Sequence, residues 1–103
     1  MTRKQGAKFT FKLYITGKTQ RSEQAILNLR KICDEVLTNQ CEIAVIDILE
    51  APELAETKKI IATPTLIKET PLPTRRIIGD LSNLEKVFIG LGLSLHSGQI
   101  ISK

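Results

Sequence analysis

Apolar positions along the chain follow two periods. Phe9-Thr10-Phe11-Lys12-Leu13-Tyr14-Ile15 alternates and then becomes continuously apolar, which predicts a first strand with Phe9, Phe11, Leu13 and Ile15 on one face and Gly17 at its end. Ala25, Ile26, Leu29, Ile32, Cys33, Val36 and Leu37 then recur at helical spacing, one apolar stripe on a helix of about five turns. Thr19 is its predicted N-cap, with Ser22 as a competing choice. The outward face carries Glu23, Gln24, Arg30, Lys31, Asp34 and Glu35. After a turn at Asn39-Gln40, Glu42-Ile43-Ala44-Val45-Ile46-Asp47-Ile48 predicts a second strand. Its near-continuous apolar character implies burial on both faces, as in a parallel β-α-β unit. Pro52 suits the first turn of a short helix that follows. Glu53 and Glu56 lie near the positive end of that helix, and Lys58 and Lys59 near its negative end.

A third strand over Thr65–Lys68 opens from Ile61-Ala62-Thr63-Pro64-Thr65-Leu66. Pro64 has no N–H and a fixed φ, so it marks the mouth of a strand rather than its centre. An X-Pro bond is also the peptide bond that adopts cis at modest cost. Two readings stay open for Pro64: a rigid loop before a strand, or a mechanistic role for isomerisation. Pro71-Leu72-Pro73 excludes helix. Arg75-Arg76-Ile77-Ile78 predicts a fourth strand and Gly79-Asp80 a turn. Ser82-Asn83-Leu84-Glu85 has capping-box form with Ser82 as the cap. A helix through Lys86, Val87, Phe88, Ile89 and Leu91 follows, interrupted by Gly90 and Gly92, each costing about 1 kcal/mol relative to Ala. The order β-α-β-α-β-β-α predicts an α/β fold that resembles thioredoxin, and the Thr-Pro-Thr-Leu entrance to the third strand resembles its proline loop. Residues 1–8 read as a flexible basic arm, 9–95 as a single domain and 96–103 as a C-terminal tail.

The chain of 103 residues allows one small domain, and 42% hydrophobic with 25% charged residues is the balance of a globular unit. A domain of this size buries only part of its surface, so self-association would help it. Three Phe, one Tyr and no Trp imply an aliphatic core. The net charge of +4 comes from 15 Lys and Arg against 11 Asp and Glu, with more than half of the cations at or before Lys31. That excess suits an acidic protein partner and equally a solvated surface. No dense basic run and no strand-borne aromatic motif point to nucleic acid. No apolar run approaches the ~18 residues of a membrane span, and none opens the chain as a signal peptide would, so the expected location is the cytoplasm.

The chemistry of enzymes is sparse. Cys33 and Cys41 stand eight positions apart, neither a redox pair nor metal-ligand spacing. Cys33 lies in the helical stripe and reads as a small buried hydrophobe, Cys41 as a packing residue. The loop Gly17-Lys18-Thr19-Gln20-Arg21-Ser22, where a redox thioredoxin carries its cysteines, has none. Disulfide exchange there is excluded, because it needs an activated thiolate at a helix N-terminus. Glutathione-dependent chemistry through Tyr14 or Ser22 is the remaining enzymatic alternative. His96 is the only histidine and has no ligand set around it, so it reads as a solvent-exposed terminal residue. Asp80 and Glu85 read as turn and capping residues, and Gly90-Leu91-Gly92 lacks the strand and lysine of a phosphate loop. By subtraction the chain is a binding module, with no catalytic residues, no cofactor and no metal expected.

Lys12-Leu13-Tyr14-Ile15, Val45-Ile46-Asp47-Ile48-Leu49, Pro52-Glu53-Leu54-Ala55-Glu56, Ile61-Ala62-Thr63-Pro64-Thr65-Leu66, Arg75-Arg76-Ile77-Ile78-Gly79-Asp80-Leu81-Ser82 and Glu85-Lys86-Val87-Phe88-Ile89-Gly90-Leu91 together resemble the KaiB family of clock-associated proteins. The resemblance implies a non-catalytic regulator that binds the hexameric ATPase and kinase KaiC and modulates its phosphorylation cycle in a circadian or other timing system. It further implies a metamorphic second half. One packing is a ground-state fold that assembles as a homotetramer; the other is a thioredoxin-like monomer that binds KaiC, sequesters KaiA and competes with the KaiB-like domain of the kinase SasA. Two such packings must lie within a few kcal/mol of each other, and a switch that needs proline isomerisation is slow. By the resemblance, Pro64, Pro71, Pro73, Gly90 and Gly92 are the fold-switch candidates. The implied binding face lies around the second helix and the strand after it, and points to Lys59, then to Lys58, Lys68, Arg75 and Arg76, as cations opposite an acidic partner. Ordinary solvated charge is the alternative for each. Phe9 and Leu13 are expected to contribute at its edge.

The chain departs from the family pattern in four places. The family's Gly-Asn-Thr-Pro-Asn-Ser loop is Gly17-Lys18-Thr19-Gln20-Arg21-Ser22, and a triple proline is reduced to Pro71-Leu72-Pro73. Gly-Leu-Asp becomes Gly90-Leu91-Gly92, and an acidic tail is replaced by Ser97-Gly98-Gln99-Ile100-Ile101-Ser102-Lys103. These departures suggest a divergent member. The alternative function is then a KaiB-like module, dimeric or tetrameric, that serves stress adaptation or signalling without a true clock.

Overall fold

The alternating run Phe9–Ile15 is β1, the inner strand on which the fold is built in the computed structural model, which describes residues 8–96 and 99–102. β2 (Cys41–Asp47) runs parallel to it, from Phe9 opposite Cys41 to Ile15 opposite Asp47. β3 (Thr65–Thr70) lies antiparallel on its other side, with Leu13 opposite Leu66 and Phe11 opposite Lys68. β4 (Arg75–Ile78) continues the sheet with Lys68 opposite Arg75, giving the order β2-β1-β3-β4. A parallel pair needs a crossover. Here α1 (Gln20–Lys31) supplies it. Thr19 caps it as predicted: its Oγ1 accepts the Ser22 N–H at 3.0 Å.

The predicted long helix changes form before it ends, since Ile32–Val36 is a π-helical turn. The apolar stripe survives the change: Ala25, Leu29, Ile32, Cys33 and Leu37 are all buried against Phe9, Phe11, Leu13 and Ile15. β2 differs from its prediction. It is an edge strand, and Ala44 and Val45 are exposed rather than covered on both faces. A continuous apolar run fits an edge as well as a centre when one face is covered, so composition alone did not separate the two.

α2 (Pro52–Thr57) precedes β3, and α3 (Leu84–Leu91) follows β4. The cap of α3 is Asn83, whose Oδ1 accepts the Lys86 N–H at 3.1 Å; Ser82 stands one residue outside, its N–H donated to Asp80 Oδ1 at 3.1 Å rather than to Glu85. Gly90 does not interrupt this helix but lies within it, facing Ile77. Gly92 ends it, in the left-handed conformation with φ 71°. The Thr63–Pro64, Thr70–Pro71 and Leu72–Pro73 bonds are cis.

Where the sequence predicts only a tail from residue 96, strand pairing continues. β5 (Leu93–His96) pairs antiparallel with β6 (Gln99–Ser102) as a separate two-stranded sheet. Both runs are short and half polar, which hides their strand character from the sequence pattern. Of the predicted basic arm, residues 1–7 lie outside the described residues; the Lys8 N–H donates to the Gln40 carbonyl at 3.0 Å.

Candidate functional site

Pro52 occupies the first turn of α2, where its missing N–H costs nothing. The helix is short and ends at Lys58, and Lys59 turns out of it with φ 55°. The Ile60 N–H closes back on the Ala55 carbonyl at 2.8 Å. The last carbonyls are left facing β4, and Arg76 fills the gap. Its Nη2 donates to the Lys58 carbonyl and its Nη1 to the Lys59 carbonyl, each at 3.0 Å. A guanidinium suits this place twice over, as a two-pronged donor and as a cation at the negative end of a helix. Lys58, Lys59 and Arg76 border one cavity of about 400 Å³ together with Glu69. Glu69 is itself paired with Lys12 Nζ at 3.3 Å. Ile61, two residues past Lys59, is 86% exposed. The sequence pattern makes Ile61 part of the lead-in to β3, and in the fold it lies outside that strand with its side chain exposed.

The five predicted cations do not share a face. Side chains alternate across a strand, so Arg76 and Arg75 point to opposite sides of the sheet. Arg75 lies opposite Lys68, which lies opposite Phe11, on the side that carries the core. Arg75 is exposed there, with its Nε 3.3 Å from where a Cβ on Gly92 would stand. Lys68 has no exposed surface, and its Nζ has no hydrogen-bond partner among the described residues. Burial, and then the neighbouring Arg75, hold its pKa below the ordinary lysine value. Lys68 is therefore not available to a partner in this packing. Phe9 and Leu13, expected at the edge of the face, are buried instead, because both belong to the inward side of β1.

At one end of the sheet the loops meet. The Asp47 carboxylate accepts the N–H groups of Gly17 at 3.0 Å and Leu49 at 2.9 Å, which joins the loops after β1 and β2. Thr16 Oγ1 and Thr63 Oγ1 are 2.8 Å apart, and the Gly79 N–H donates to the Pro64 carbonyl at 2.9 Å. This is where Gly17–Ser22 stands in place of a thiol loop. Tyr14 and Ser22, the hydroxyls considered for glutathione chemistry, are both buried. Burial raises the Tyr14 pKa, which works against a phenolate. Ser22 Oγ accepts a hydrogen bond from Thr19 Oγ1 at 3.0 Å, so it belongs to the cap of α1. Cys33 and Cys41 are both buried, as packing residues would be. Among the described residues no three His, Cys, Asp or Glu side chains gather as a metal would need, and no helix is long and apolar enough to cross a membrane.

The architecture is that of the thioredoxin class, a mixed α/β sheet whose first loop carries no thiol. Mitochondrial thioredoxin 3 from Saccharomyces cerevisiae shares it with a TM-score of 0.63 at 17% identity, over 81% of this chain and 76% of that one. The N-terminal domain of SasA from Synechococcus elongatus shares it with a TM-score of 0.68 at 19% identity, over 86% of each chain. Sequence goes further than fold. Residues 12–93 match the family profile described as the KaiB domain. The chain is 52% identical to circadian clock protein KaiB3 of Synechocystis sp. over 86 residues, 84% of each protein. It is 51% identical to the circadian clock oscillator protein KaiB of Synechococcus elongatus over 85 residues, 82% of this chain and 83% of that one. This chain belongs to the KaiB family.

Proposed function

We propose that the chain is a non-catalytic regulator that binds a KaiC-type hexameric ATPase through the end of α2 and modulates its phosphorylation cycle. The observation that carries this reading is the shared sequence, about half of all positions along more than four-fifths of both chains, with proteins named for the circadian clock. The end of α2 supports it physically. Lys59 is exposed, Lys58 is half-exposed and Ile61 is a protruding apolar side chain, so cations flank one apolar contact. An acidic partner surface would be steered by the cations and anchored by the isoleucine. Arg76 holds that end in place, and Arg75, on the other side of the sheet, would meet a partner only by a second contact.

The reading includes a homo-oligomeric storage form, a cytoplasmic location, and a change of packing in which Pro64, Pro71, Pro73, Gly90 and Gly92 take part. A SasA-like kinase, whose N-terminal domain has the same fold, would compete for the ATPase, and KaiA is the further partner of the family reading. Size-exclusion chromatography with light scattering, alone and after incubation with the host's KaiC-type ATPase and ATP, tests it. Slow transfer of the chain into the ATPase peak is expected. A chain that never joins the ATPase overturns the reading and leaves the stress-adaptation module in its place.

A further inference from the structure

Lys68 is an anomaly of this packing. β3 reads Thr65-Leu66-Ile67-Lys68, four buried residues in succession, and the β1–β3 register sets Lys68 on the same side as Leu66, Phe11 and Leu13. Its side chain has no exposed surface, like theirs. A lysine in such a place ordinarily extends its amine to water or meets a carboxylate. Here Nζ does neither: it has no hydrogen-bond partner among the described residues, and its charged cross-strand neighbour is another cation, Arg75. A buried amine left without a partner costs free energy in either protonation state, as a desolvated ammonium or as a neutral donor with nothing to bond.

We propose that Lys68 is a built-in brake on this packing, a residue that keeps the β4–α3 layer easier to detach from β3 than an apolar side chain at the same position would. Opening that layer hydrates the amine, so each opening regains what burial took away. Position 68 is the effective place for such a device. Among the described residues β4 is an edge strand that pairs with β3 alone, and α3 packs against β4, so a local opening at Lys68 loosens the hold of both elements on β3. The inference concerns the free chain and stands whether or not a KaiC-type ATPase is its partner.

Native-state hydrogen exchange on the full chain tests it, comparing the wild type with Lys68→Met and Lys68→Leu, which keep the bulk of the side chain and remove the amine. Lys86→Met on the exposed face of α3 controls for the loss of one positive charge. Amides of β4 and α3 are expected to gain about tenfold protection or more in both Lys68 variants and to stay unchanged in the control. Unchanged or reduced protection in the Lys68 variants overturns the proposal, as does an equal gain in the control. A second measurement needs no variant. In the wild type, acylation of Lys68 by an amine-reactive ester is expected to run about a hundredfold slower than that of Lys86 and to keep pace with exchange of the β4 amides. Modification of Lys68 as fast as Lys86, or only after global unfolding, overturns it.

Discussion

The guanidinium of Arg76 donates to the carbonyl of Lys59 at 3.0 Å, so one of the cations assigned to a partner face is spent on positioning another. The second prong goes to Lys58, and the two bonds tie the end of α2 to β4 across seventeen and eighteen positions of sequence. Arg76→Ala is therefore expected to loosen this corner before it removes any contact. Both bonds are exposed, which limits their net worth to about 1 kcal/mol. Thermal unfolding should show a small loss, and the Ile60 amide should exchange faster. Arg76→Lys is expected to recover only part of the protection, since an ammonium does not span two carbonyls as a fork does. Unchanged exchange at Ile60 in Arg76→Ala would show that the clamp is idle.

Lys59 itself carries the direct prediction. It is exposed and its backbone is held, so its charge is free to act on a partner. Lys59→Glu is expected to weaken binding to a KaiC-type ATPase by about tenfold at low salt, with the deficit shrinking as Debye screening shortens. Titration at two ionic strengths measures it. Full binding at both would remove Lys59 from the face. An equal loss at both would point to lost packing rather than lost charge.

How far these roles were legible depends on which physical relationship fixes each one. β1 and β4 fall on their predicted residues because alternation and flanking turn residues are local signals. Thr19 as the α1 cap is local in the same way. The cap of α3 is Asn83 rather than Ser82, and Asp80, two residues upstream of the motif, accepts the Ser82 N–H that the capping box assigns to Glu85. Lys68 was beyond reach of any local pattern. Thr65 to Lys68 are all buried and show no alternation, so the side to which the lysine points is decided by register with Phe11. Gly90 reads as a helix breaker from composition. In the fold it makes room, since a Cβ there would fall 2.7 Å from Ile77 Cγ1.

Gly92 makes a separate prediction. Its φ of 71° is one that other residues adopt only at a cost, and it closes α3 just before β5. Gly92→Ala is expected to destabilise this packing by about 1 kcal/mol or somewhat more. Any equilibrium with a second packing or an oligomer that does not require the left-handed turn should move away from this packing. Chromatography with light scattering and a chemical denaturation curve together report both effects. A variant as stable as the parent, with an unchanged elution profile, would mean that this turn does not limit the fold.

Asp80 ties the loop after β4 to α1. Asn28 Nδ2 on α1 donates to the Asp80 carbonyl at 2.8 Å, while the Asp80 carboxylate accepts the Ser82 N–H. Hydrogen bonds from Ser82, and more weakly the charge of Arg21, hold the carboxyl below its ordinary pKa. The folded pKa is the lower one, so this contribution is complete above the unfolded value of about 3.9 and disappears as pH falls through the folded value. Asp80→Asn keeps an acceptor for Ser82 but removes the titration. Its stability is expected to fall less steeply than that of the parent below about pH 4. Asn28→Ala, which cuts the backbone link and leaves the carboxylate in place, should lower stability at all pH values and leave the acid slope unchanged. Parallel acid-unfolding curves for the parent and Asp80→Asn would show that the carboxylate adds nothing to the turn, and a flattened slope in Asn28→Ala would show that the link through the Asp80 carbonyl is what sets its titration.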